Sequence, residues 1–205
     1  MDGDKAEKIV AERKRVVAIP GSLREGSYNR LLLRAAARIA PAEMSIEVYG
    51  DLPAVPLFDE DLERDTGGGP PAVIALRNAV READGLLIST PEYNQSMSGV
   101  LKNAIDWLSR PGPDEVLVAK PTAIMGASGG RWGTRLAQAN LRQVLTATES
   151  LVMPQPAIFV AEAGKVFDER GSLQHDLLRQ QLQKFVSAFS QWLEFFERRP
   201  VWGTG

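Results

Sequence analysis

The chain has no cysteine among its 205 residues. Disulfides, thiolate nucleophiles, thiolate-bound zinc and iron–sulfur clusters are excluded together, because each needs that sulfur. Histidine is almost as scarce. His175 stands alone, so a histidine-rich metal site is impossible and a Ser-His-Asp triad would have only that residue to use. It falls in a late segment full of helix formers and is read as a surface or capping residue. No apolar run is long enough to cross a bilayer. There is no excess of charge either: a net charge of −2 offers no basic surface to nucleic acid or an anionic membrane. The opening residues, MDGDKAEKIVAERKRV, carry charge where a secretion signal carries an apolar core, which points to a cytoplasmic protein. A chain this poor in reactive side chains does difficult chemistry through a bound cofactor.

What is present is a regular alternation of buried strands and amphipathic helices, with no internal repeat. Residues 1–14 read as a charged tail or frayed helix, 15–197 as one domain and 198–205 as a second tail. Within the domain, short apolar runs predict strands at 15–20, 45–49, 85–89, 120–125 and 151–160. Between them fall helices at about 29–40, 71–83, 99–108 and 131–148, and a last one at about 173–197 whose apolar stripe includes Leu178, Leu182, Phe185, Phe189, Trp192 and Phe196. Strand and helix alternating in this way predict an α/β fold, a doubly wound parallel sheet with helices on both faces. The stretch 51–71, with several prolines and Gly67-Gly68-Gly69, is read as a functional or mobile loop.

Three loops follow strands one, three and four. In a sheet of order 2-1-3-4-5 those strands are neighbours, so the loops meet at the carboxyl edge, where open α/β sheets bind ligands. The first, at 21–29, offers hydroxyl and amide donors from Ser22, Ser27 and Asn29 and a guanidinium fork from Arg24, ahead of a helix N-terminus. That set suits a phosphate, although Ser27 would also serve as an ordinary helix cap. The loop has no Lys-Ser/Thr where a nucleoside-triphosphate loop needs it, and no G-x-G-x-x-G fingerprint. A mononucleotide monophosphate fits better. The second loop, Pro91-Glu92-Tyr93-Asn94-Gln95-Ser96, sets an aromatic side chain among polar groups. It reads as the edge contact for a flat heterocycle, or as a tight turn in which Asn94 satisfies its own backbone. The third, Gly126-Ala127-Ser128-Gly129-Gly130, lacks bulk, as a loop does where a ligand approaches the backbone or where a strand simply joins a helix. In the helix after the second loop, Leu101, Ile105 and Leu108 are core. Lys102, Asn103 and Asp106 are surface or structural, and Trp107 is assigned to a subunit contact.

G-S-L-R-x-G-S-x-N at 21–29, P-E-Y-N-x-S-x-x-G-x-L-K-N-A-I-D-W at 91–107 and G-A-S-G-G at 126–130 together resemble the NADPH-dependent FMN reductase family. This is the flavodoxin-like group that includes quinone, azo-dye and chromate reductases. The resemblance implies a flavodoxin-like five-stranded sheet, bound FMN, and NAD(P)H as electron donor. Position by position it implies FMN phosphate contacts from Ser22, Arg24, Ser27 and Asn29. It implies isoalloxazine contacts from Pro91, Glu92, Tyr93 and Asn94, with Ser128 and Gly129 closing the pocket. Hydride would pass through the flavin to quinones, azo compounds, free flavin or oxyanions such as chromate in a ping-pong cycle, with no catalytic side chain and no metal. The alternatives are a one-electron FMN carrier and a non-catalytic flavin-binding module; the modest charge argues against the carrier, which would need a strong field to steer its partner. The family further implies a homodimer or homotetramer, for which Trp107 is an interface candidate; Trp132 covers the flavin or lies at the interface, and Arg135, Arg142 and Glu149 are interface ion-pair residues or solvated surface. Gln95 and Ser98 depart from the family's usual residues, which puts substrate preference at that place.

Overall fold

The computed structural model of the chain describes residues 13–111 and 115–197. Both predicted tails therefore lie outside the described residues, apart from the last two positions of the first. The element order is β1 (Lys14–Pro20), α1 (Tyr28–Ile39), β2 (Met44–Val48), α2 (Glu60–Asp65), α3 (Pro71–Glu82) and β3 (Gly85–Thr90). It continues with α4 (Gly99–Leu108), β4 (Pro121–Ala127), α5 (Arg135–Ala147), β5 (Leu151–Val152), β6 (Ile158–Val160) and α6 (Asp176–Glu197). The strands pair in the order β2-β1-β3-β4-β5, with β6 also on β4. Every pairing is parallel.

Alternation along the central strands decides which side chain goes to which face. Val16 and Ala18 of β1, Leu87 of β3 and Ala123 and Met125 of β4 join α1 and α6 in one core. Val17 and Ile19, Leu86 and Ile88, and Ile124 face the other way, against α3, α4 and α5. The stripe read in the last helix is real: Leu182, Phe185 and Phe189 are fully buried, and each such side chain contributes about 1.5–3 kcal/mol of transfer free energy.

Boundaries differ from expectation at the fifth strand and at the last two helices, the final one beginning at Asp176 because Leu173 bridges to Phe167. The single fifth strand is two short ones, because Pro154 and Pro156 interrupt it and a proline has no N–H for a ladder. β5 ends its pairing at Thr122 and β6 resumes at Met125. The helix expected from 131 begins at Arg135, because residues 131–134 form a turn containing Gly133 at φ 68°.

The segment 51–70 is the larger correction. It holds a 3-10 turn at Leu52–Ala54 and helix α2, and side chains of α4 pin it to the body. Asn103 Nδ2 donates to Pro56 O at 2.8 Å and its Oδ1 accepts from Phe58 N at 2.7 Å. Trp107 Nε1 donates to the same Pro56 O at 2.9 Å, and its ring meets Phe58 edge-on at 4.9 Å. Arg77 reaches Gly68 O and Trp107 O at 2.8 and 3.2 Å. Trp107 is 0% exposed. The assignment of Trp107 to a subunit contact is therefore wrong: a tryptophan on the inner face of α4 uses its one polar atom to hold a neighbouring segment.

Candidate active site

The carboxyl ends of β1, β3 and β4 lie side by side, as their registers require: Pro20 is opposite Ser89, and Thr90 is opposite Gly126. The loops leaving them enclose a cleft of about 340 Å3. It is lined by Ser22, Arg24, Ser27, Tyr28 and Asn29 from the first loop, Pro91, Glu92 and Tyr93 from the second, and Ala127, Ser128 and Gly129 from the third. Nine of the ten residues named from the sequence thus line one cavity; Asn94 is not among the lining residues. Tyr28 was missed. Its stacking on Phe167, with ring centroids 6.4 Å apart, depends on a contact 139 positions away, which no local pattern announces.

The loops are held together by buried side chains. Asn29 carries most of this. Its Nδ2 donates to Ala127 O at 2.9 Å, and its Oδ1 accepts from Ala127 N and Ser89 Oγ, both at 2.9 Å. One amide thus ties α1 to β3 and β4. Ser98 caps α4, accepting from Leu101 N at 3.3 Å, and donates its own proton to Gly21 O at 2.6 Å. Ser98, noted as a departure from the family, therefore links the second loop's helix to the first loop. Close approach demands glycine at two of these joints. A Cβ on Gly126 would fall 2.2 Å from Thr134 Oγ1 and 2.5 Å from Thr90 O, and one on Gly21 would fall 3.0 Å from Pro91 Cδ. Gly129 is different: a Cβ there meets nothing nearer than Tyr28 at 3.9 Å, so its backbone faces open cleft.

One end of the cleft gathers groups that can bind an anion. Ser27 is the N-cap of α1, its Oγ accepting from Arg30 N at 3.5 Å. The amides of Tyr28 and Asn29 precede any carbonyl they could bond within the helix. Arg24 is set beside them, its Nη2 donating to Gly26 O at 2.9 Å and its guanidinium 5.3 Å from the centre of the Tyr28 ring. Fork, hydroxyls, free amides and the helix dipole point to the same place. The other end is formed by the second loop, with Pro91, Glu92 and Tyr93. Tyr93 and Ser96 bond each other's backbone at 2.9 and 3.0 Å, closing a hairpin whose tip residues Asn94 and Gln95 have φ of 49° and 63°. Tyr93 is 53% exposed there. Glu92 is committed: its Oε2 accepts from Leu136 N and Ala137 N at 2.9 and 3.0 Å, so it caps α5.

Nothing in the cleft resembles an acid–base pair. His175 is far along the chain, where its Nδ1 accepts from Leu178 N at 3.2 Å and caps α6. The displaced ionisations also lie elsewhere. Burial pushes Lys120 down, against the raising effect of Asp84, and pushes Arg142 down. Burial raises Tyr49, helped by Asp51. Among the described residues no group of three His, Cys, Asp or Glu side chains could hold a metal ion, and no helix is long and apolar enough to cross a membrane.

A phosphate cradle and an aromatic-rimmed wall, joined by buried hydrogen bonds at the switch point of a 2-1-3-4-5 sheet, fit a flavin mononucleotide. The comparison with known proteins agrees. Residues 14–165 match the NADPH-dependent FMN reductase family. The chain belongs to that family. It is 45% identical to the NAD(P)H-dependent FMN reductase of Pseudomonas aeruginosa over 179 residues, covering 87% of this chain and 95% of that protein. It is 40% identical to the quinone reductase of Escherichia coli over 174 residues, covering 81% and 91% respectively. Among solved structures, the flavoenzyme NAD(P)H:(acceptor) oxidoreductase FerB of Paracoccus denitrificans superposes with a TM-score of 0.80 at 32% identity, over 89% of this chain and 98% of that one. As a member of this oxidoreductase family the chain uses FMN, with reduced nicotinamide as donor.

The interface candidates fare unevenly. Arg142 is turned inward, donating to Met153 O at 2.9 Å. Arg135 lies over the Phe159 ring at 4.8 Å. Trp132 is 70% exposed with Arg131 stacked on it at 5.0 Å, and Glu149 is exposed at a turn.

Proposed function

We propose that the chain is an FMN-dependent oxidoreductase that reduces small acceptors, quinones foremost, with NADPH or NADH as donor in a ping-pong cycle, FMN being bound in this cleft. The observation that carries the reading is the pairing, in one cleft, of hydroxyl, guanidinium and helix-amide donors with an open wall whose one carboxylate, Glu92, is taken up by the amides of α5. The flavin supplies the redox chemistry; the chain supplies position. Ser22, Arg24, Ser27 and the first amides of α1 would hold the phosphate. Asn29 keeps that cradle in register with β3 and β4, so its contribution to the phosphate is through position. Pro91 to Asn94 would meet the ring's edge, with Ser128 and Gly129 closing the opposite side.

Tyr93 and Gly129 would leave one side of the bound group open, so that donor and acceptor would use that side in turn. Azo compounds, free flavin and oxyanions such as chromate are acceptors the same open face would admit. Quinones come first because the wall beside it is rimmed by Tyr93 and offers stacking area. The exposed Trp132 and Leu136 support assembly into a homodimer or homotetramer, and the reaction is placed in the cytoplasm, where reduced nicotinamide is made.

Initial-rate kinetics of the FMN-loaded protein test this reading. Varying NADPH at several fixed benzoquinone concentrations should give parallel double-reciprocal lines. Intersecting lines would mean that donor and acceptor are bound together. A protein that holds FMN yet oxidises neither NADPH nor NADH unaided would be a one-electron carrier or a regulatory module.

A further inference from the structure

Tyr28 lines the cleft beside Arg24, and its ring is engaged by two other side chains of the molecule. The Arg24 guanidinium lies over it, 5.3 Å from its centre, inside the range of a cation–π contact. The Phe167 ring stacks on it with planes 11° from parallel. Phe167 is 9% exposed and belongs to a short hairpin. It bridges Leu173, Gln174 N donates to Val166 O at 2.9 Å, and Asp168 N donates to Ser172 O at 3.0 Å. The Asp168 carboxylate closes the turn, accepting from the amides of Arg170 and Ser172 at 3.0 and 2.7 Å. The tip, Gly171, packs on Leu31: a Cβ there would fall 2.6 Å from Leu31 Cδ2. Tyr28 and Leu31 are three residues apart on α1, so they are neighbours on one face of it. Residues 166–174 therefore press on α1 at two places, and one of them is the ring that carries Arg24.

We propose that Tyr28 and Phe167 are positioning residues that hold the Arg24 guanidinium ready for the phosphate of the mononucleotide. Arg24 stands on an exposed loop. A phosphate that bound a loose arginine would have to order its many rotamers. A guanidinium already laid on a fixed ring and bonded to Gly26 O loses less freedom, so more of its hydrogen-bond energy appears as affinity. The ring is fixed because Phe167 and its hairpin hold it from outside the three loops of the cleft. The aromatic face does this, and the hydroxyl is not needed for it. The inference rests on reading the cleft as the FMN site. It goes beyond that reading by making the phosphate contact depend on residues 166–174, none of which lines the cleft.

A ring that touches the flavin directly and a ring that acts through Arg24 both predict weaker FMN binding when Tyr28 is lost. Only the second makes the loss depend on Arg24. Full-length protein stripped of flavin is titrated with FMN and with riboflavin, read by quenching of flavin fluorescence, as wild type, Tyr28→Leu, Arg24→Ala and the double variant. Tyr28→Leu should weaken FMN about two- to fivefold where Arg24 is present. In the Arg24→Ala background it should weaken FMN no further, and riboflavin affinity should be the same in all four proteins. Tyr28→Phe, which keeps the ring, should restore the lost FMN affinity. Phe167→Leu, taken through the same cycle, should show the same dependence on Arg24 at smaller size, and it stands in if Tyr28→Leu does not fold. An equal loss of FMN with and without Arg24, or a loss shared by riboflavin, overturns the proposal and leaves the reading of the cleft in place. A wild-type protein that binds no FMN overturns both.

Discussion

The segment 51–70 and the loops of the cleft both follow strands at the carboxyl edge of the sheet, and both are rich in glycine, proline and polar side chains. One is closed and the other is open. In the closed segment, Asn103, Trp107 and Arg77 come from beneath and bond its carbonyls, and Arg110 grips Glu63 with Nε–O distances of 3.0 and 2.9 Å. In the cleft, the buried polar groups bond one another, as Asn29 does with Ala127 and Ser89, while Arg24, Tyr93 and Gly129 are left facing outward. Polar loops at a sheet edge are therefore not equivalent. In both places buried side chains take loop carbonyls; the difference is that the cleft loops also turn Arg24, Tyr93 and the Gly129 backbone toward open space around a shared cavity.

The largest test of that contrast is Trp107→Ala. It removes a fully buried indole and the bond to Pro56, and should cost about 3–5 kcal/mol of stability, read from denaturant unfolding. The FMN affinity of the folded fraction should be nearly unchanged, because Trp107 acts on the closed segment alone. Asn103→Ala leaves Phe58 N and Pro56 O without their partner and should cost about 1–3 kcal/mol. In hydrogen exchange the loss of protection should be confined to residues 52–69; a loss spreading to the 91–96 loop would break the comparison. Ser98→Ala removes a helix cap and the link to Gly21, and should cost about 0.5–2 kcal/mol. Unlike the first two, it should also loosen FMN, since its bond joins two walls of the cleft.

The smallest effect concerns the loop behind Tyr28. Asp168 is held below its ordinary value of 3.8, chiefly by the Ser172 amide, with Gln174 and the Arg170 amide adding to it. A depressed carboxylate contributes stability that is present above pH 3.8 and is lost as pH falls through its folded value. Asp168→Asn should therefore lower the melting temperature slightly at neutral pH. The gap from wild type should close on acidification below that value.

Much of this was legible in the sequence. The apolar runs mark the strands, because a parallel sheet buries both faces and leaves uninterrupted hydrophobic stretches; their order came with the doubly wound, flavodoxin-like architecture. The glycine–serine loop, the PEYN loop and the Gly126 loop were found because each follows such a run. What escaped is what depends on distant contacts. Trp107 sits on a helix whose inner face was recognised from Leu101, Ile105 and Leu108, yet a tryptophan can be buried or exposed, and only the path of residues 56–58 decides. The capping of α5 by Glu92 is not legible locally, because its partners, Leu136 and Ala137, lie 44 and 45 positions on. The break in the fifth strand is written in the sequence as Pro154 and Pro156.

The central claim is that the cleft holds a mononucleotide by its phosphate at the start of α1. The measurement that tests it most directly compares FMN with riboflavin, which lacks the phosphate, in wild type and Arg24→Ala by quenching of flavin fluorescence. Wild type should prefer FMN strongly, and Arg24→Ala should lose about tenfold or more of FMN affinity, in keeping with about 1.5–3 kcal/mol for a charged hydrogen bond, while riboflavin binding stays the same. Equal affinity for the two flavins in wild type, or an equal loss of both in Arg24→Ala, would contradict the account.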